Sequence, residues 1–575
     1  MITTPSGATD ELTVSDFFAL WLEVAGIKHV FSLPGGMIAP LLDAIHQGGA
    51  AEIVTMHHEQ GVAFAVDGYG RFRGTPAIGL STAGPGATNM LTGIASSFLD
   101  SVPGIFVTGQ VQSYLLKGDR PVRQFGFQEC DIGAIAGSVV KAAWQVRASS
   151  EIPRVLNEAL ALATAGRPGP ALIELPSDVQ TMGVPNAVVE PPTVAAPAEI
   201  DLAAVDMVLD MLASAQRPLV LLGGGVQAAR AAEACVAFID AVGVPAAASV
   251  MALGVLPADH SSRLGMIGMY GNRWVNLGVA DSDLVVALGS RLDFGTIGAD
   301  VGSFARNRTI VQVDCDEGEM NRVRGVTPIV ADLATFLPAA ADRARERAWH
   351  PRSDWHAHLE GLRARWPDTE ELEPCEGINP NRLVRELCES SPLAAAFVID
   401  AGQHLWWACQ SIQPRRGQRF MPALGLGPCG YALPAAVGVA VAAQRPVVVV
   451  AGDGAFQLNI QELQTVVRNR LPIKIVIVDN GCHGSVRQLQ EQAFEERYPA
   501  TVWGYDAPDF ARVAAAYGID SLAIGSRAEL EHGLEWLWRD SLAPALLHVH
   551  IAPELNVYPN VPFGAPLTTM ESMVR

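Results

Sequence analysis

One repeated pattern narrows the possible folds more than anything else in this chain: buried strand, glycine turn, helix, next strand, near both ends. Residues 76–90, PAIGLSTAGPGATNM, read as strand, glycine turn and helix, and 103–110, PGIFVTGQ, as the following strand. Residues 446–459, PVVVVAGDGAFQLN, repeat that order, with 472–480, PIKIVIVDN, as the next strand. Strands joined through a helix run parallel, with a right-handed crossover. The middle of the chain also opens on a strand into glycines, RPLVLLGGGVQ at 217–227. The simplest reading is an α/β protein with three doubly wound parallel-sheet domains, which bind ligands at the carboxyl ends of their strands.

At 575 residues the chain exceeds a single core. Two stretches, 184–198 (proline- and alanine-rich) and 366–380 (acidic, with prolines), read as linkers. They leave an N-terminal domain at 1–183, a central domain at 199–345 and a C-terminal domain at 376–575. The formal charge of -20 argues against nucleic-acid or anionic-membrane partners, which require a basic face. The eight cysteines are scattered without CxxC spacing, which fits reduced thiols better than zinc or a disulfide framework. The opening MITTPSGATDELT lacks the basic and apolar regions of a secretory signal, and no apolar run is long enough to span a bilayer. A soluble cytoplasmic protein is expected.

The strongest local signal is Gly452-Asp453-Gly454 after a run of four valines, with Asp479-Asn480 after the next strand. Adjacent parallel strands would bring Asp453 and Asn480 to one sheet edge, where a carboxylate and an amide oxygen suit a hard cation holding a diphosphate. Strand-end turns are common in α/β proteins, and the 27-residue spacing to Asn480 is what singles this pair out. A second signal is His57-His58-Glu59-Gln60-Gly61, between an apolar strand and a helical run. A glutamate there could simply complement the helix dipole.

The GDG segment and its Asn480 resemble the diphosphate-binding motif of thiamine diphosphate enzymes. HHEQGVAFAVDGYGR, FSLPGGMIAP, STAGPGATN, GRPGPALIELPSDVQ, LGMIGMYGN, ALGSRLDFGTIG, DAGQHLWWACQ and LPAAVGVAVA resemble the acetolactate synthase group within that family, over nearly the whole chain. The resemblance implies thiamine diphosphate bound through magnesium, with Asp453, Asn480 and the main-chain carbonyl of Cys482 as metal ligands. It implies that Glu59 shares a proton with the cofactor's aminopyrimidine ring, and that Gln403 and His404 lie at the diphosphate end. Gly452, Gly454, His483 and Gly484 fall in the same cofactor-binding segments, and Gly427 and Cys429 in the loop beneath the cofactor rings. The family usually has a larger side chain at Cys429, so its wedging role there is weaker. Gly36, Phe127 and Gln128 would lie on the donor side. Asp479 stands where the family has asparagine, and slightly weaker local hydrogen bonding is expected from the change. The resemblance also implies a homodimer or homotetramer, with Glu59 and Asp453 of different chains serving one cofactor.

Departures cluster where a second substrate would bind. The family's GMVxQWQ reads GSVRQLQ here, placing Ser485 and Leu489 at the acceptor pocket, and its RFDDR reads RLDFG, with Gly295 replacing the second arginine. A larger acceptor than pyruvate is expected. Gly224, Gly225, Gly268, Met269, Gly289, Arg291, Asp293, Asp314 and Asp332 match stretches that hold FAD in acetolactate synthases; the alternative is a vestigial domain that binds nothing. The resulting expectation is a carboligase that decarboxylates a 2-oxo acid, pyruvate first, and transfers the two-carbon unit to a carbonyl acceptor. A flavin-dependent 2-oxo acid oxidase and a non-catalytic cofactor-binding paralogue are the alternatives.

Overall fold

Three six-stranded sheets, every pairing parallel, form the frame of the computed structural model, which describes residues 12–191, 199–367 and 375–571. Residues 1–11 of the N-terminal stretch read as lacking a secretory signal, and part of each expected linker, 192–198 and 368–374, lie outside the described residues. The first sheet contains β1 (His29–Ser32), β2 (Glu52–Thr55), β3 (Ile78–Ser81), β4 (Gly104–Gln110), β5 (Ala142–Gln145) and β6 (Pro170–Pro176), in spatial order β2-β1-β3-β4-β6-β5. The second contains β7 (Pro218–Leu222), β8 (Ala246–Ala248), β9 (Arg263–Met266), β10 (Leu284–Leu288), β11 (Thr309–Asp314) and β12 (Thr327–Val330), in order β12-β11-β10-β7-β8-β9. The third contains β13 (Ala396–Ile399), β14 (Arg419–Pro422), β15 (Val447–Gly452), β16 (Ile473–Asp479), β17 (Asp520–Ile524) and β18 (Ala545–His550), in order β14-β13-β15-β16-β18-β17. The α/β reading of the sequence therefore holds.

The reason lies in the strand sequences. β15 and β16 are buried at every residue, and their valines and isoleucines run without polar alternation, as a parallel strand covered by helices on both faces requires. Each such side chain removed from water contributes about 1.5–3 kcal/mol.

The chain divides into two compact units. The first joins the described residues up to 191 with Gly425–Gln444 and Asn459–Leu471. Here the helix Glu59–Arg73 packs on the helix Ala432–Ala443 with almost no space between backbones. A Cβ at Gly438 would lie 1.9 Å from the Ala65 carbonyl oxygen, and one at Gly68 would lie 2.2 Å from that of Ala435. Only glycine permits this approach. The second helix is apolar all round and buried from Ala432 to Ala440, consistent with cover on every side.

The second unit holds the other two sheets. They are joined by hydrogen bonds from Asn272 Nδ2 to the Gln410 carbonyl (3.0 Å) and from Gln410 Nε2 to the Tyr270 carbonyl (3.1 Å). Tyr270 stacks on Trp406 with ring centroids 4.5 Å apart. No helix among the described residues is long and apolar enough to cross a membrane.

Candidate functional site

In the first unit the chain leaves β2, turns at His57 and His58, and enters the helix at Glu59. His58 caps this helix, its Nδ1 accepting the Gln60 N–H at 2.9 Å. That accounts for His58 structurally. Glu59 is buried and Asn89 Nδ2 donates to its Oε2 at 3.0 Å. A Cβ on Gly86 would lie 3.3 Å from Glu59 Oε1, so the glycine turn of STAGPG leaves that oxygen room.

A second buried carboxylate, not singled out in the sequence, orients this corner. Glu462 Oε1 accepts the His57 N–H at 3.0 Å, and Thr465 donates to its Oε2 at 2.6 Å. Burial pushes this carboxyl above its ordinary pKa, against the pull of those donors. Gly61 is required beside it, since a Cβ there would lie 2.7 Å from Glu462 Oε1. The only signal was the glycine itself.

The donor-side residues gather in the same unit. Gly36 opens a short turn and a Cβ there meets nothing within 4 Å, whereas at neighbouring Gly35 it would lie 2.4 Å from Thr82 Cβ. Phe127 is 80% exposed, an unusual position for a large apolar ring. Gln128 adopts a positive φ of 65°, and its backbone carbonyl would sit 2.9 Å from a Cβ on Gly84. Glu129, also missed, ties this loop by accepting the backbone N–H groups of Lys117, Phe125 and Gly126.

The loop Gly425–Gly430 is fixed at both ends. Asp100 Oδ1 accepts the Gly425 N–H at 2.8 Å, and the Tyr431 hydroxyl donates to Asp67 at 2.7 Å. Arg71 bridges these two carboxylates, at 3.0 Å from Asp67 and 2.9 Å from Asp100. Between the anchors, Gly427 takes a φ of +67° and Cys429 is exposed.

The second unit carries the cation-type donors. β15 and β16 pair with Gly452 opposite Val478, so Asp453 and Asp479 follow side by side and Asn480 comes next. Asp453 is 2% exposed; burial pushes its carboxyl up to about 6, opposed by the Tyr505 hydroxyl donating to Oδ2 at 2.7 Å and aided by the charge of Asp479. A cation between these groups would reverse the upward push. Asn480 Nδ2 donates to Gln403 Oε1 at 3.0 Å, leaving its Oδ1 for another partner, and Gln403 Nε2 donates in turn to Gln488 Oε1 at 3.0 Å. Gly484 must be glycine, because a Cβ there would lie 2.0 Å from Gln403 Oε1 and 2.5 Å from Asn480 Nδ2.

The neighbouring glycines make the same kind of space. A Cβ on Gly452 would lie 2.9 Å from His404 Nδ1, and one on Gly454 would lie 2.7 Å from His483 Cε1. His404 is buried, its Nε2 has no hydrogen-bond partner among the described residues, and burial pushes its imidazole down to about 4. A buried polar atom of this kind at a glycine-lined strand edge marks a place for a polar ligand group. Cys482 is buried, and burial pushes its thiol up to about 11. Tyr505 and Gln488 were not anticipated from sequence.

Asp479 is partnered on both oxygens: its Oδ1 accepts the Gly481 N–H and its Oδ2 faces His548 Nε2, both at 2.8 Å. Burial opposes its charge, but these partners hold the carboxyl below its ordinary pKa. Arg487 points inward, to Glu491 at 2.7 Å and to Asn556, while Ser485 and Leu489 are exposed on the same helix.

The glycines and acids of the central domain follow the carboxyl ends of its strands, those after β9 and β12 at opposite edges of the sheet. Gly225 presses on Gly289, with a Cβ 2.7 Å from the Gly289 Cα, and a Cβ on Gly224 would lie 2.9 Å from Met251 Cβ. Gly268 has a φ of +130° and the Met269 carbonyl accepts the Val561 N–H at 2.8 Å. Arg291 lies 3.5 Å from Asp293, and both are partly exposed. Asp314 ends β11 and accepts the Asp316 N–H at 3.0 Å. Asp293 and Asp332 cap the helices Phe294–Ile297 and Leu333–Arg345, which explains both without a ligand.

Three family models match the chain: the N-terminal TPP binding domain of thiamine pyrophosphate enzymes at residues 12–135, their central domain at 205–340 and their C-terminal TPP binding domain at 400–549. The acetolactate synthase isozyme 2 large subunit of Escherichia coli is 37% identical over 95% of this chain and 96% of its own length. The isozyme 1 large subunit of the same organism is 34% identical over 98% and 99%. The acetolactate synthase large subunit of Lactococcus lactis is 32% identical over 94% of this chain and 93% of its own length.

Proposed function

Because the chain belongs to the acetolactate synthase-like thiamine pyrophosphate enzymes, and so is a thiamine diphosphate-dependent carboligase, we propose that it works with magnesium, takes pyruvate as donor and transfers a two-carbon unit to a carbonyl acceptor. The observation that carries the reading is the donor set at the β15–β16 edge. Asp453 and Asn480 are both buried there, held by Tyr505 and Gln403, beside glycines that admit no side chain. In this reading Asp453, Asn480 and the Cys482 carbonyl hold magnesium against the diphosphate, while Gly452, Gly454, His404, His483 and Gly484 line it. Thiamine diphosphate supplies the electron sink that decarboxylation of a 2-oxo acid requires.

Glu59, oriented by Asn89, would share a proton with the cofactor's aminopyrimidine ring. Gly36, Phe127 and Gln128 shape the donor side, and the clamped loop through Gly427 and Cys429 supports the cofactor rings. Glu59 of one chain and Asp453 of its partner serve one cofactor, so the working protein is at least a homodimer. A cytoplasmic setting is read from the eight scattered cysteines, which form no CxxC pair. FAD is read at the carboxyl edge of the central sheet, with Arg291 on its phosphates; the glycine approach there supports it.

Labelled pyruvate supplied with thiamine diphosphate, magnesium and a panel of aldehyde, 2-oxo acid and keto-sugar acceptors tests the reading. Carbon dioxide release matched by a carbon–carbon coupled product is expected. Carbon dioxide release matched instead by flavin reduction would identify an oxidase, and no release at all would leave only a cofactor-binding paralogue.

A further inference from the structure

β18 ends in the sequence His548-Val549-His550, and residues two apart on a strand project from the same face. β16 is its hydrogen-bonded neighbour, in a register that sets Asp479 directly opposite His550. The three side chains therefore meet at one strand edge. Asp479 Oδ2 lies 2.8 Å from His548 Nε2 and 3.6 Å from His550 Nδ1, and the two imidazole rings are 4.2 Å apart between centroids. One ligand-type atom from each residue lies within 4.8 Å of the other two. Ligand atoms at about 2.0–2.1 Å around tetrahedral zinc stand about 3.3 Å from one another, a spacing that the 2.8 and 3.6 Å separations bracket.

We propose that Asp479, His548 and His550 form a binding site for a divalent transition metal, zinc in the first instance, with an open fourth position. Two imidazoles and one carboxylate select zinc, cobalt or iron over magnesium, which takes oxygen ligands. The three residues are graded in exposure: His548 is 1% exposed, Asp479 9%, and the His550 side chain is about half open to solvent, which gives a metal a route in. His548 Nδ1 is buried without a hydrogen-bond partner among the described residues, and Asp509 Oδ1 stands 3.9 Å away. Metal on Nε2 fixes the proton on Nδ1, and a small shift of the half-exposed Asp509 then completes a carboxylate–histidine–metal arrangement.

Cobalt titration of the full chain, already saturated with thiamine diphosphate and magnesium, tests this. One cobalt per chain with the visible absorption of a four- or five-coordinate ion, displaced by zinc, is expected. His550→Ala should weaken zinc at least ~100-fold, and His550→Asp should recover part of that loss. His532→Ala, an exposed histidine elsewhere, should change nothing. Because His550 is half exposed, its replacement leaves the fold intact, which far-ultraviolet circular dichroism checks. A spectrum typical of six-coordinate aqueous cobalt, or equal zinc affinity in wild type and His550→Ala, would overturn the proposal.

Discussion

Tyr505 donates its hydroxyl proton to Asp453 Oδ2 at 2.7 Å, so the carboxylate of the Gly-Asp-Gly turn is oriented by a residue 52 positions further along the chain. Asp453→Ala should abolish magnesium-dependent binding of thiamine diphosphate, because it removes an anionic ligand from a site crowded with phosphate charge. Tyr505→Phe should weaken binding only about tenfold, since the carboxylate remains and loses one donor worth ~1–3 kcal/mol. Quenching of tryptophan fluorescence on titration with cofactor reports both. Unchanged affinity in Asp453→Ala would put the diphosphate elsewhere.

Glu59→Gln should hold the cofactor within a few-fold of wild type while turnover falls ~10²–10⁴-fold. The amide retains the shape and the contact with Asn89 but cannot share the proton. Deuterium exchange at the cofactor's thiazolium carbon, followed by nuclear magnetic resonance, isolates this step. Near-normal exchange in the variant would remove Glu59 from the relay.

If the Glu59 of one chain and the Asp453 of another serve the same cofactor, mixing two inactive proteins should restore activity. In a mixed dimer of Glu59→Gln and Asp453→Ala chains, one site carries both changes and the other carries neither. Activity after co-refolding, with neither parent active alone, is the expected result. Continued inactivity of verified mixed dimers would place both groups on one chain.

The fold was legible because strand, glycine turn and helix recur in the same order, most plainly at Val447–Gly452, where valines run unbroken towards glycine. Asp453, Asn480 and Glu59 could be singled out as candidates because they stand in short motifs, the first two just after strands and the third at the start of a helix. Tyr505, Gln488 and Glu462 were not, since their partners are set by tertiary packing and no spacing rule connects them. The partner of Asp479 was hidden for the same reason: His548 reaches it from a strand almost seventy residues away.

Burial holds the His404 imidazole at about 4, against 6.5 in an ordinary setting. Above pH 6.5 both folded and unfolded chains keep it neutral. As pH falls, the unfolded chain binds the proton first, so stability is lost progressively down to about pH 4. For the protein without cofactor, this histidine alone should contribute a loss of about 2 kcal/mol between pH 7 and 5. Denaturant midpoints over that range should fall less steeply for His404→Gln than for wild type. Equal slopes would mean that His404 titrates normally in the fold.

The last prediction concerns the acceptor. Ser485 and Leu489 are one turn apart on the helix Gly484–Ala493, hence on one face, and both are exposed. Arg487 is turned inward and occupied by Glu491 and Asn556, so it does not take over the role of the arginine that Gly295 replaces. A face with small and aliphatic side chains and no free guanidinium from Arg487 favours a bulky carbonyl compound over a second carboxylate. Transfer to a larger aldehyde or ketone should therefore outpace self-condensation of pyruvate. Leu489→Trp should suppress the larger acceptor more than pyruvate. One methylene changes discrimination by only ~1–3 kcal/mol, so a whole indole should shift the product ratio at least tenfold. Competition between the two acceptors under labelled pyruvate measures that ratio directly. Acetolactate as the fastest product, with a ratio unmoved by Leu489→Trp, would show that this face does not select the acceptor.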